Sequence, residues 1–289
     1  MVAARGRSNL TFTSTSAETG RTVERGRVRL AVADTGEGPP VVLLHGLTAT
    51  RRYVMMGSRA LERAGHRVIS YDARGHGRSS PAPDPAAYTY EDLGRDLEAV
   101  LEELRIDRAL VAGSSMGAHT GLWLALRSPE RVSGLVVITP GYDPDGSDAP
   151  ARLARWDALA DGLEHGGVEG FLAAYGRPNV PQEWQETVVR VIRQRLSLHE
   201  HPEAVADALR AVPRSRPFGQ LDELGAISVP AAVVASSDEA DPGHPQALAE
   251  AYASALPNAR LITDAPGKSP VAWQGSQLSR VIAEVAAQS

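Results

Sequence analysis

Residues Gly113-Ser114-Ser115-Met116-Gly117 stand between an apolar run, Ala109-Leu110-Val111-Ala112, and a segment of helical character that begins at Ala118. A strand that turns this abruptly into a helix forces its central residue into a strained backbone conformation, tolerable only when small flanking residues let the two arms approach. Ser115 is that central residue. Its exposed hydroxyl would attack a carbonyl carbon, and the backbone N–H of Met116 would hold the resulting oxyanion.

Three further landmarks surround this turn in a fixed order. Val41-Val42-Leu43-Leu44 is a buried-strand run ending in His45-Gly46-Leu47. Val68-Ile69-Ser70-Tyr71 follows, and then Asp72-Ala73-Arg74-Gly75-His76-Gly77-Arg78-Ser79. Together with the serine turn these segments resemble the α/β-hydrolase superfamily, over about residues 21 to 289. The resemblance implies a mainly parallel central sheet flanked by helices, with an inserted helical cap. It also implies a second oxyanion N–H from Leu47 and a structural role for Asp72. A serine at the turn sets aside haloalkane-dehalogenase and epoxide-hydrolase chemistry, which needs an aspartate there.

The family pattern then breaks. Members usually end in a strand followed by a Gly-His pair whose imidazole is the general base. Here the strand Arg260-Leu261-Ile262-Thr263 is followed by Asp264-Ala265-Pro266-Gly267-Lys268, and no histidine occurs after His244. Asp241-Pro242, with Pro245, resembles the family's acid-bearing loop, which makes Asp241 the acid and puts Lys268 at the histidine's place; Asp238 and Glu239 compete for the acid's role. As a base Lys268 would have to be neutral, and moving a lysine from about 10.4 to about 7 takes roughly 4.6 kcal/mol. A neighbouring aspartate acts in the opposite direction, so an Asp241–Lys268 ion pair is the expectation. His244, three residues beyond Asp241, is the alternative base. His119 is expected to pack against the sheet, and His45 and His76 to serve their own loops.

The elements that must position these residues are legible as alternation. Apolar runs at 28–33, 41–44, 68–71, 109–113 and 135–139 are separated by helix-like stretches, which implies a parallel sheet covered on both faces. Leu93, Leu97, Val100, Leu101 and Leu104 form a helical stripe expected to be core. Between about 143 and 225 the strand signal disappears and helix-like pieces are punctuated by Gly166-Gly167, Pro178, Pro181, Pro202 and Pro213. The expected organisation is a mobile tail at 1–20, a core of 21–142 with 226–289, and a cap at 143–225. Trp156, Phe171, Tyr175, Trp184 and Phe218 lie in the cap and are expected mostly to form its own core.

Composition narrows the function. A net charge of -5, with 30 basic residues mixed among 35 acidic ones, argues against a nucleic-acid partner. Zero cysteines exclude disulfides and a thiol nucleophile and suit a cytoplasmic setting. No signal-peptide pattern follows the charged start, and no apolar run reaches the roughly 18 residues of a membrane span. No metal or organic cofactor is implied, since metal-ligand spacings and phosphate-binding glycine fingerprints are lacking. The expected activity is hydrolysis of a small or medium acyl substrate, a carboxylic ester, thioester or lactone, through Ser115 and an unusual base. The alternatives are a lyase or cyclase using Lys268 as a fixed charge, and a ligand-binding member that has lost catalysis. Oligomeric state is not encoded in any pattern visible here.

Overall fold

A computed structural model describes residues 20–146, 148–263, 273 and 275–289. The strands in chain order are β1 Gly20–Arg25, β2 Val28–Thr35, β3 Pro40–Leu44, β4 Arg67–Tyr71, β5 Ala109–Ser114, β6 Val132–Ile138, β7 Ala231–Ala235 and β8 Ala259–Thr263. They form one sheet in the order β1-β2-β4-β3-β5-β6-β7-β8. β2 pairs antiparallel with β1 and β4, and every pair from β4 onward is parallel.

The helices are α1 Ala60–Arg63, α2 Tyr90–Glu103, α3 Met116–Arg127, α4 Pro150–Tyr175, α5 Gln182–Leu196, α6 Pro202–Ala211, α7 Gln246–Ala255 and α8 Gly275–Ala286. α4 bends at Gly167, where the backbone leaves helical geometry. α4, α5 and α6 all lie between β6 and β7, within the stretch expected to form a cap. The expected tail falls almost entirely outside the described residues, and so do Asp264 to Lys268.

Period-two alternation sends neighbouring side chains of each strand into different layers. Val42, Leu44 and Val111 join one cluster with Leu93, Leu97, Leu101 and Leu122 of α2 and α3. Val41, Leu43, Leu110 and Ala112 join a second with Leu61 of α1 and Leu278, Ile282 and Val285 of α8. This two-sided burial explains why the central strands read as unbroken apolar runs. At the sheet's edge β1 buries only Val23, and its other residues are polar or exposed, so its sequence carries little strand signal.

α2 starts at a reciprocal cap. The Thr89 hydroxyl accepts the Asp92 N–H at 3.1 Å, and the Asp92 carboxylate accepts the Thr89 N–H at 3.2 Å. The same helix anchors the turn after β4. Arg74, 2% exposed, donates Nε and one terminal nitrogen to the two oxygens of Asp96, each at 2.7 Å, and its other terminal nitrogen to the Ala87 carbonyl at 2.7 Å. Burial pushes the guanidinium's pKa down, but the Asp96 hydrogen bonds and charge outweigh it and hold the pKa above its usual value.

Candidate active site

Ser115 sits between β5 and α3 at φ 49° and ψ -111°. The left-handed region costs a non-glycine residue about 1–3 kcal/mol, and the surrounding structure has to impose it. The two glycines make that possible. A Cβ on Gly113 would lie 2.3 Å from the Gly117 carbonyl group, and one on Gly117 would lie 2.3 Å from the Leu44 carbonyl oxygen. The Ser115 N–H is tied to the Ile138 carbonyl at 2.9 Å, which fixes the turn to the next strand. The serine remains partly accessible.

The acid arrives on a turn after β7. Asp241-Pro242-Gly243-His244 closes with the His244 N–H donating to the Asp241 carbonyl at 3.0 Å. Pro is favoured in the first central position of such a turn, where its fixed φ suits the bend. Closure at this spacing brings the first and fourth side chains together: His244 Nδ1 donates to Asp241 Oδ2 at 2.9 Å. With its proton on Nδ1, the imidazole leaves Nε2 to accept from Ser115 Oγ, 3.0 Å away. Burial pushes the Asp241 carboxyl up, but the charge and hydrogen bond of His244, the Arg195 charge and the Gly243 amide outweigh it and hold it below the usual carboxylate value. It is therefore ionised when it orients the ring.

Among the described residues the side chain that touches both Ser115 and Asp241 is His244, the residue held as the alternative base. Asp241 pairs with His244, where pairing with Lys268 was expected, and Lys268 lies outside the described residues. Asp238 is placed elsewhere: its carboxylate accepts the Gln246 N–H at 2.7 Å, at the start of α7.

His119 lies one turn beyond Ser115 and is buried, as expected. Its Nε2 accepts the N–H groups of Gly141 at 3.3 Å and Tyr142 at 3.2 Å, and its Nδ1 donates to the Tyr90 hydroxyl at 3.0 Å. Burial, with a smaller contribution from His244, pushes its pKa from 6.5 to about 3, so it is neutral. This imidazole pins the loop after β6 behind His244. The absence of a side chain at Gly141 matters there, because a Cβ would lie 3.0 Å from His244 Cδ2 and 3.8 Å from Ser115 Oγ.

The loop after β3 is held by three more histidines. His45 Nε2 accepts the Ala73 N–H at 2.9 Å, which leaves Nδ1 to donate to the Gly46 carbonyl at 2.8 Å. His76 Nε2 lies 2.6 Å from the Leu47 carbonyl. His199, from the segment between α5 and α6, accepts the Gly77 N–H at Nδ1 and meets the Thr48 carbonyl at 3.2 Å through Nε2. Three successive carbonyls are therefore fixed from behind. The N–H groups of Leu47 and Met116, both in buried residues, donate to no group among the described residues. Buried unpaired amides are rare enough to call for a partner. Asp72, 1% exposed, accepts the Arg51 N–H at 2.8 Å and the Arg78 N–H at 3.1 Å and makes an ion pair with Arg51, the structural role expected of it.

The order of the sheet, the strained serine and the loop glycines match one family, and its profile, described as the alpha/beta hydrolase fold, covers residues 39–242. The chain belongs to the α/β-hydrolase fold family. It is 33% identical over 208 residues to a candidate carbamate hydrolase, RutD, of Variovorax paradoxus, an alignment covering 71% of this chain and 75% of that one. A thermophilic esterase from Thermogutta terrifontis superposes with a TM-score of 0.74 at 26% identity, covering 94% of this chain and 98% of that one. An enol-lactonase from Burkholderia xenovorans shares the fold, with a TM-score of 0.70 at 24% identity over 92% of this chain and 97% of that one. His199 and Arg195 carry no motif that would have marked them in the sequence. The Asp-Pro-Gly-His turn did carry a signal, since its closure sets an acid beside an imidazole.

Among the described residues no group of three or more His, Asp or Glu side chains is arranged to hold a metal ion. No helix there is long and apolar enough to cross a membrane.

Proposed function

We propose that the protein hydrolyses small carboxylic esters, thioesters or lactones through an acyl-enzyme on Ser115. The observation that carries this reading is the continuous relay from Ser115 Oγ to His244 Nε2 at 3.0 Å and from His244 Nδ1 to Asp241 Oδ2 at 2.9 Å. His244 takes the serine proton as Oγ attacks the carbonyl carbon, and Asp241 stabilises the imidazolium without being protonated. The oxyanion is received by the amides of Leu47 and Met116, the latter at the first position of α3, where the helix dipole also favours negative charge. Imidazolium then returns the proton to the leaving alkoxide, thiolate or ring oxygen. Water repeats the sequence against the acyl-enzyme, with His244 again as base. Similarity to a candidate carbamate hydrolase and to an esterase supports attack on a carboxyl-derived carbonyl. α4 to α6 act as the cap that shapes the acyl site.

The test is labelling by a fluorophosphonate followed by peptide mapping. The expected result is a single adduct on Ser115, absent from Ser115→Ala, which also loses turnover of p-nitrophenyl butyrate. No adduct between pH 6 and about pH 9, with the protein folded, would overturn the proposal.

A further inference from the structure

His244 hangs from the same turn as the carboxylate that orients it. The ring's bond to Asp241 and the turn's own backbone bond both close within that turn, so acid and imidazole move as one body. Both side chains remain partly exposed. Nothing within the pair sets its distance from Ser115, which stands at the junction of β5 and α3. One hydrogen bond of 3.0 Å joins the two parts. A reacting pair held to within 1 Å needs a second support, and packing on the ring's flank is where it can come from.

That flank is Gly141. A Cβ there would lie 3.0 Å from His244 Cδ2, 3.4 Å from its Nε2 and 3.8 Å from Ser115 Oγ, so the glycine lies against the ring and faces the hydroxyl. The loop presenting it does not take this path by local preference. It leaves β6 through Thr139, a buried β-branched residue at φ 44°, a conformation that neighbours have to impose. Two side chains grip the loop just beyond. His119 Nε2 accepts the N–H groups of Gly141 at 3.3 Å and Tyr142 at 3.2 Å, and the Tyr252 hydroxyl donates to the Tyr142 carbonyl at 2.6 Å.

His119 is built to accept. Its Nδ1 proton is engaged by the Tyr90 hydroxyl at 3.0 Å, which leaves the lone pair on Nε2 for the loop. The rings of Tyr90, Tyr142 and Tyr252 surround it, with centroids at 5.6, 6.0 and 6.2 Å. It is also rooted at the nucleophile, since its own N–H donates to the Ser115 carbonyl at 3.1 Å. The contacts close a circuit: Ser115 to His119 along α3, His119 to Gly141, Gly141 to His244, and His244 back to Ser115. We propose that His119 is a positioning residue for the base, fixing through Gly141 the flank from which His244 reaches Ser115. This inference rests on the hydrolase reading for the use to which that distance is put.

The test separates an acceptor at Nε2 from mere bulk. His119→Met fills the space without accepting, whereas His119→Gln puts an amide oxygen within reach of the same two N–H groups. With p-nitrophenyl butyrate, His119→Met should lower kcat by about 10²-fold with KM unchanged, the scale of a misplacement near 1 Å. His119→Gln should return kcat to the parent's order. A second reading does not need turnover: the nitrogen NMR shift of His244 Nε2, with Ser115→Ala marking the ring that has lost its serine. His119→Met should move the shift toward that mark, and His119→Gln should leave it at the parent's value. Parental kcat and shift in His119→Met would overturn the proposal, and so would equal losses in His119→Met and His119→Gln, because the acceptor would then not matter. If His119→Met does not fold, Tyr252→Phe decides, since it frees the same loop from its carbonyl side: a lowered kcat at unchanged KM supports the proposal and parental kcat overturns it. A parent that turns over no ester, with the expected pattern of shifts, would count against the hydrolase and leave the positioning role standing.

Discussion

At Ser115, strain and hydrogen bonding act on the same atom: the left-handed backbone lifts Oγ out of the sheet, and His244 accepts its proton. Replacing His244 by Ala should lower kcat by about 10⁶-fold, as loss of the base does in related relays, while the proposed oxyanion amides keep a residual rate above the uncatalysed one. Stopped-flow kinetics on p-nitrophenyl esters would measure it. Gly141 gives a subtler case. An added methyl would press on the imidazole from 3.0 Å, so Gly141→Ala should cost about 10²-fold in kcat with the fold intact, the scale of a misplacement near 1 Å. Far-ultraviolet circular dichroism would confirm folding, and wild-type kcat in this variant would show that the ring has slack. The turns that carry Ser115 and Asp241 stand out in the sequence. The contact of His244 with both was harder to read, because family habit places the histidine after the last strand, whereas the Asp241–His244 turn sets an imidazole beside its own carboxylate and against Ser115.

At the level of elements, the sequence announces the central strands clearly because both their faces are buried, and α2 because its apolar stripe and its cap agree. It announces β1 poorly, since an edge strand with one buried side chain has no pattern to show. The link between the turn after β4 and α2 is equally hidden, as Arg74 and Asp96 are distant in sequence and meet only in the fold. Asp96→Ala would leave a buried guanidinium with a weaker set of partners and should cost about 3–5 kcal/mol in urea denaturation. A loss below about 1 kcal/mol would mean that the Ala87 carbonyl and Asp92 suffice. His199 links the inserted helices to the loop after β3. His199→Ala should lower kcat more than it raises KM, because it loosens the loop after β3 that carries the proposed Leu47 donor; the expected loss is about tenfold, short of the 10²- to 10³-fold for deleting an oxyanion donor outright.

Over the whole molecule, buried imidazoles set the response to acid. His45 and His119 are neutral in the fold, their pKa values moved by burial from 6.5 to about 3. Unfolded, they take up protons near 6.5, so the unfolded chain gains on the folded one as pH falls from about 6.5 toward 3, and no such difference exists above about 7. Each should remove roughly 2 kcal/mol between pH 7 and pH 5, with His199 acting in the same direction. Urea titrations at both pH values would show the drop, and equal stabilities would contradict neutral burial. The measurement that bears most directly on the relay is kcat/KM for p-nitrophenyl butyrate at pH 8 in the parent, His244→Ala and Lys268→Met. The relay seen here predicts a collapse in His244→Ala and activity of the parent's order in Lys268→Met; activity surviving in the first and lost in the second would contradict it.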